Sequence, residues 1–178
     1  RIHSADNALS AIQQARQAGF ERVNVDLMHG LPQQTLEQAL TDLKLAVEQG
    51  ATHISWYQLT IEPNTVFFRT QPVLPQDELL EQIQEQGEAY LKAQGFINYE
   101  VSAWRKEQAS AHNLNYWQFG DYLAIGAGAH AKVTRPDGIY RFQKTRLPRD
   151  YLAKVPADHL QMKKIEADEL PFEFMMNA

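Results

Sequence analysis

Val23-Asn24-Val25-Asp26-Leu27-Met28-His29-Gly30-Leu31-Pro32-Gln33-Gln34-Thr35 is the stretch on which the fold turns. Val23 to Leu27 alternates and is β-branched, which predicts a strand. Gly30 and Pro32 then hold the backbone to a tight path. Thr35-Leu36-Glu37-Gln38 has the form of a capping box, with Thr35 at the cap and Gln38 three residues on. The helix that it opens runs to about Gln49 and stops at Gly50. One strand, one polar loop and one capped helix make a βα unit.

The same unit recurs on either side. Upstream, Ser4 caps a helix from about Asp6 to Ala18, with Leu9, Ile12 and Ala15 on one face and Gly19 past its end. Downstream, His53 to Leu59 reads as a second strand. A third helix starts near Pro75-Gln76-Asp77, buries Leu79, Leu80, Ile83 and Tyr90, and ends at Gly95. Its acids, Asp77, Glu78, Glu81, Glu85 and Glu88, form the solvated face. Asn98 to Trp104 is the third predicted strand.

Strands alternating with helices of this length imply crossover connections and parallel pairing. The joints from helix to strand are short and end in Gly, whereas those from strand to helix are longer and polar. The expected class is therefore α/β, a (β/α) barrel with its function on the loops beyond the strand C-termini. A doubly wound open sheet is the alternative. From residue 105 the alternation gives way to short strand and turn signals, and Arg135-Pro136-Asp137-Gly138 reads as a β-hairpin. The expected division is residues 1–104 as barrel, 105–169 as a mixed α+β extension, and 170–178 as the start of a helical region.

The 178 residues carry 44% hydrophobic and 22% charged side chains, a globular composition. A net charge of −5 argues against a chain-wide nucleic-acid surface. No apolar run is long enough to cross a membrane as a helix. With no Cys, the chain can offer neither a disulfide nor a thiolate ligand. Arg1 is not an initiator Met, and the chain stops within the apolar stretch that begins at Leu170. It reads as a piece of a longer protein, with a cytoplasmic setting expected.

Asp26 is the first candidate for chemistry. With period 2 it shares a face with Asn24, while Val23, Val25 and Leu27 take the other. A carboxylate inside a barrel has to be paired or bonded to a ligand. It therefore either accepts hydrogen bonds from a ligand hydroxyl or amine, or closes an internal salt bridge or strand end. His29 reads as a packed loop residue, with a base or ligand role as the other option. His112-Asn113-Leu114-Asn115-Tyr116-Trp117 sets an imidazole beside two aromatics, which suits either haem or an aromatic core. Gly126 to Ala131 matches G-x-G-x-x-A, but a hairpin follows where a dinucleotide fold needs a helix, so that reading is rejected. Six of the seventeen basic residues lie between Lys132 and Arg149, a stretch that could meet carboxylates or nucleic acid, or form a solvated hairpin. No hydrolase triad and no metal-ligand spacing is legible.

These motifs carry a resemblance. Asn24-Val25-Asp26-Leu27-Met28-His29-Gly30-Leu31-Pro32-Gln33-Gln34-Thr35 is similar to the N-x-D-L-x-x-G-L-P-x-Q-T segment of oxygen-independent coproporphyrinogen III oxidases and their relatives in the radical S-adenosylmethionine superfamily. Arg1-x-His3 resembles the R-x-H element before that Asp. Asp121 to His130 is similar to the later D-Y-L-G-I-G-x-G-A-x-S stretch, with Ala124 for a usual Gly and Ala131 for a usual Ser. His112-Asn113-x-x-Tyr116-Trp117 resembles the H-N-x-x-Y-W element of the HemW branch, the haem chaperones.

The resemblance implies a partial (β/α) barrel of radical S-adenosylmethionine type, later strands only, followed by the smaller extension. It implies S-adenosylmethionine and a [4Fe-4S] cluster in the full-length protein, with the cluster's cysteines outside this chain, so that the chain alone is inactive. Arg1, Asp26 and Thr60 become the expected S-adenosylmethionine contacts, and His112, Tyr116 and Trp117 the expected haem contacts. The first functional expectation is a haem chaperone that delivers haem to haem-requiring enzymes at the membrane. The second is oxidative decarboxylation of coproporphyrinogen III, with the basic hairpin receiving propionates. A third, independent of the family, is a cofactor-free barrel enzyme using Asp26 and His29 as an acid–base pair. A barrel lacking its first strands also leaves the Asp26 strand at an exposed edge, open to aggregation or to a second copy as in a homodimer.

Overall fold

The computed structural model describes residues 4–153 and 160–176, so the Arg1 and His3 expectations lie outside the described residues. By contacts the chain divides into two units, Arg1–Ala109 and Ser110–Ala178.

In the first unit the βα pattern holds. Helix α1 (Ala5–Gln17) is capped by Ser4, whose hydroxyl accepts from the Asn7 amide. Strand β1 (Asn24–His29) leads into α2 (Leu36–Glu48), and both halves of the predicted capping box form between Thr35 and Gln38. Strand β2 (His53–Gln58) pairs with β1 in parallel, Asp26 opposite Ser55. A short helix not foreseen, α3 (Val66–Thr70), precedes α4 (Asp77–Ala93).

The core lies between the sheet and helices α2 and α4. Ile54 and Trp56 from β2 meet Leu43 and Ala46 of α2 and Ile83 and Leu91 of α4, with Val25 and Leu27 of β1 packed against them. Burying side chains of this size contributes about 1.5–3 kcal/mol each. Gly87 gives α4 its close approach: a Cβ there would sit 2.5 and 2.6 Å from two carbons of the Trp56 ring and nearer still to a third.

The third predicted strand is corrected. Asn98 to Trp104 is not one parallel strand but a hairpin, β3 (Ile97–Asn98) and β4 (Ala103–Arg105). β4 runs antiparallel to both β2 and β3, giving the order β1-β2-β4-β3. The reversal has local causes. The Glu100 carboxylate accepts from the Ser102 amide at 3.2 Å, and the Asn98 side chain donates to the carbonyls of Glu100 and Ala103 at 2.6 and 3.3 Å. Alternation within the stretch carries no information about these side-chain bonds. As expected, β1 stands at an edge of the sheet.

In the second unit, α5 (Ala111–Trp117) precedes the predicted hairpin of β5 (His130–Arg135) and β6 (Gly138–Lys144). Pro136 and Asp137 form its two-residue turn, with Arg135 opposite Gly138. After α6 (Pro148–Ala153), β7 (Leu160–Lys164) adds a third antiparallel strand, and α7 spans Leu170–Met175. The Gly126–Ala131 segment runs into β5 and not into a helix, in agreement with the rejection of a dinucleotide site.

Part of the basic stretch is engaged within the unit, while Arg135, Arg146 and Arg149 are exposed. Lys132 is 1% exposed, bridges Asp121 at 2.9 Å, and lies 4.1 Å over the Phe119 ring. Arg141 pairs with Glu173 and donates to the Tyr122 hydroxyl, and Arg135 lies over the rings of Tyr140 and Phe142.

Candidate functional site

The sheet of the first unit has two unlike faces. Val25, Leu27, Ile54 and Trp56 point to the helices, so Asn24, Asp26, Met28, His53, Ser55 and Tyr57 line the other side. That face is polar near Asp26 and more apolar toward Met28 and Tyr57, both exposed.

Asp26 is the third of six residues in β1, because the strand continues two residues beyond the predicted end. The carboxylate is exposed and not enclosed, as are Asn24 and Met28 on the same face of β1, which corrects the expectation of a buried charge. Asp26 Oδ1 accepts from Asn24 Nδ2 at 2.7 Å. The Asn24 amide also bonds to Ser55 Oγ at 3.2 Å, and Asn24 Oδ1 meets His53 Nδ1 at 2.5 Å. His53 Nε2 is in turn bonded to the Tyr99 hydroxyl. Burial pushes the His53 pKa below its ordinary value, against a weaker upward pull from the Asp26 charge. A charged acceptor held by an amide, with Ser55 opposite it on the neighbouring strand, is suited to a ligand hydroxyl or ammonium group.

Thr60 follows β2, is exposed, and donates from Oγ1 to Glu62 Oε1 at 3.0 Å. It lies beyond the C-terminal end of β2, two positions after Gln58.

His29 leaves β1 on the side opposite Asp26, since the two are an odd number of residues apart. Its ring is 1% exposed and stacks on Trp56 at 4.4 Å. Burial lowers its pKa, with a smaller opposing effect from a bond to Gln84. The Asp26–His29 acid–base pair therefore does not form, and the cofactor-free enzyme loses its geometry. The rest of the loop is structural. Gly30 takes a left-handed φ of 72°, and buried Gln34 accepts from the Leu31 amide at 3.2 Å and donates to Asp42 at 3.4 Å. Of the long N-x-D-L-x-x-G-L-P-x-Q-T motif, Asn24 and Asp26 are the groups that turn polar atoms to the helix-free face.

His53, Ser55 and Tyr99 were not singled out by the sequence reading. A signal existed for two of them: His53 and Ser55 are polar at alternate positions of a strand whose Ile54 and Trp56 are core residues. Tyr99 had no such signal, because the β3–β4 turn brings it to His53.

In the second unit, Ser110 caps α5 by accepting from the Asn113 amide at 3.3 Å. His112 and Tyr116, one turn apart, meet edge to face with ring centroids at 4.8 Å. Tyr116 packs on Tyr122 at 4.7 Å, and Tyr122 accepts from Arg141. His112 is exposed at the end of this ladder, while Tyr116 and Trp117 are half-buried. Trp117 leaves the helix about 100° round from Tyr116, so the helix brings His112 and Tyr116 together and sets Trp117 on a different side. Among the described residues no group of three or more His, Asp or Glu side chains could hold a metal ion, and no helix is long and apolar enough to cross a membrane.

No family model matches the chain. Against curated proteins it is 52% identical over 180 residues to "Heme chaperone HemW" of Haemophilus influenzae, covering 99% of this chain and 46% of that protein. It is 51% identical over 180 residues to "Heme chaperone HemW" of Escherichia coli, covering 99% and 47%. A mouse protein, "Radical S-adenosyl methionine domain-containing protein 1, mitochondrial", is 41% identical over 144 residues, 78% of this chain and 32% of its own length. The chain thus spans about half the length of the HemW proteins that it matches. Among solved structures, the radical enzyme coproporphyrinogen III oxidase (HemN) of Escherichia coli superimposes with a TM-score of 0.74 at 17% identity, over 98% of this chain and 44% of that one. At that identity the likeness is one of fold: a partial radical S-adenosylmethionine barrel with a smaller extension.

Proposed function

The chain belongs to the HemW family, and from that premise we propose that the protein carrying it binds haem and passes it to haem-requiring enzymes, with S-adenosylmethionine and a [4Fe-4S] cluster as its resident cofactors. The observation that carries the haem reading is the exposed imidazole of His112 set on the Tyr116–Tyr122 ladder. An imidazole nitrogen ligates haem iron, and an aromatic shelf meets a porphyrin face. The residue types of the H-N-x-x-Y-W element support the same reading.

Asp26, on the helix-free face, suits S-adenosylmethionine by offering a carboxylate to its ribose or amine. The resemblance adds Thr60, beyond the end of β2, as a hydroxyl, and Arg1 as a guanidinium for the cofactor's carboxylate. When bound at its cluster, this cofactor is a source of a 5′-deoxyadenosyl radical. The chain contains no cysteine, so the cluster's thiolates come from elsewhere in the protein. The family supports haem-accepting enzymes at the membrane as recipients and a cytoplasmic setting, and the β1 edge supports a homodimer.

Haem titration of the intact protein tests the proposal. His112→Ala is expected to shift the Soret band and weaken haem binding at least tenfold, on the order of the loss when a metal site is disturbed. Tyr116→Ala, which removes the shelf and leaves the ligand, is expected to weaken binding without removing the ligand's spectral signature. An unchanged affinity and Soret band in His112→Ala would end the ligand assignment.

A further inference from the structure

Asn24 Oδ1 is a carbonyl oxygen and only accepts. The 2.5 Å contact therefore requires His53 Nδ1 to carry the proton and to donate. In the neutral ring Nε2 is then the acceptor, and the Tyr99 hydroxyl donates to it. With its carbonyl turned to His53, Asn24 presents its NH2 to Asp26 Oδ1 at 2.7 Å and to Ser55 Oγ at 3.2 Å, and the Ser55 hydroxyl, able to donate or accept, suits either orientation of the amide. A flipped Asn24 would set its NH2 against the His53 N–H and its carbonyl against the Asp26 carboxylate, two repulsive contacts in place of two bonds. The histidine tautomer and the amide orientation lock each other.

We propose that Tyr99, His53 and Asn24 form a positioning chain that fixes the Asp26 carboxylate in the orientation that receives the cofactor. The inference rests on the reading of Asp26 as a cofactor contact. Three features set this chain apart from incidental polar packing. It joins three separate strands or turns, with partners 29 and 46 residues apart in sequence. Its inner member, His53, is 6% exposed, so water does not readily substitute for either bond. Its outer end is an exposed carboxylate, which gains nothing in folding from being aimed. Preorganising such a group lowers the ordering cost when a ligand binds. The burial that disfavours an imidazolium at His53 keeps the ring in the neutral form that this pattern needs.

The test uses the intact protein and two readouts. The first is the nitrogen NMR signature of the His53 ring without ligand. A neutral ring protonated on Nδ1 is expected, and Asn24→Ala is expected to release that preference. An Nε2-protonated ring in the unaltered protein overturns the proposal. The second is S-adenosylmethionine affinity by equilibrium dialysis. Asp26→Asn should weaken it by roughly ten- to a hundredfold, the range for a hydrogen bond to a charged group. His53→Leu should weaken it by about fivefold, one ordinary hydrogen bond's worth acting through Asn24. His53→Asn, whose amide nitrogen lies close to the Nδ1 position, should restore most of that loss. Tyr99→Phe, which removes a single hydroxyl and keeps the ring, covers the case in which His53 variants fail to fold, with an expected loss of about twofold. If Asp26→Asn weakens binding while His53→Leu and Tyr99→Phe do not, the positioning chain falls and the Asp26 contact stands. If Asp26→Asn binds as before, the cofactor reading of Asp26 falls and the proposal falls with it.

Discussion

Gly87→Ala is expected to destabilise the first unit by about 2 kcal/mol, the reverse of what its position in a helix suggests. In mid-helix, Ala is favoured over Gly by about 1 kcal/mol. Here the added methyl would lie within 3 Å of three Trp56 ring carbons. Trp56 is 3% exposed and carries His29 stacked on its ring, so it has little room to retreat. Overpacking of a dense core costs about 1–3 kcal/mol, and this geometry belongs at or above the upper end. The steric cost therefore exceeds the helical gain. In a unit of this size the net loss lowers the melting temperature by about 10 °C. Thermal unfolding followed by circular dichroism measures it. Trp56→Leu in the Gly87→Ala background should recover part of the loss, and an Ala variant that melts at or above the parent temperature would show that the ring has room to move.

Asp121→Ala is the second large effect, in the other unit. Its carboxylate accepts from Lys132 Nζ at 2.9 Å and from the amide and hydroxyl of Thr134 at 2.8 Å each. Lys132 is buried, so removing its partner strands an ammonium group away from water. Breaking a fully buried pair costs about 3–5 kcal/mol. The Asp121 side chain is 43% exposed, so water reaches the vacated place, and about 2–3 kcal/mol is the expected loss. Lys132→Met on that background should restore stability, because it removes the stranded charge and keeps the packing on Phe119. The pH dependence has a definite sign. The Lys132 bond, aided by Thr134, holds the Asp121 carboxyl below the usual carboxylate range. Its contribution is complete above an unfolded-chain value of about 3.9 and disappears as pH falls through the lowered folded value. Denaturant titrations at pH 7 and pH 3 should therefore separate parent and Asp121→Ala most at the higher pH and narrow the gap at the lower. Variants that differ equally at both would remove the ion pair from the account.

Much of the fold was legible because the local signals agreed with one another. The capping box at Thr35, the Gly residues after three helices and the Pro136-Asp137 turn each act within a few residues, where sequence order and spatial order coincide. The third strand was misread because its alternation is genuine while its direction is set by Asn98 and Glu100 bonding to nearby backbone. The last strand, β7, went unseen because Gln161, Lys163 and Lys164 give it little apolar alternation, and all five of its residues are exposed.

The candidate site was half legible. Asp26 stood out as a charge in an apolar strand, and His112 as an imidazole among aromatics. His53 and Tyr99 were invisible as partners because their contact depends on strand order. The enclosure expected around Asp26 did not appear, since a side chain's face follows from period 2 but its cover depends on elements far away in the chain. The basic stretch left its alternatives open for a related reason. Counting charges between Lys132 and Arg149 cannot show that Lys132 is spent on Asp121 and Arg141 on Glu173.

Strand β1 hydrogen-bonds to a neighbour along one side only. In a parallel pair, alternate backbone amides reach across to the partner strand, and those between them point outward. Deuterium uptake from Asn24 to His29 should thus be two-valued, slow and fast by turns, within a segment that is a single unbroken strand. The strand that bears Asp26 carries its own gauge of occupancy: whatever comes to lie along that edge, from the same polypeptide or another, would silence the fast set and leave the slow set as it was.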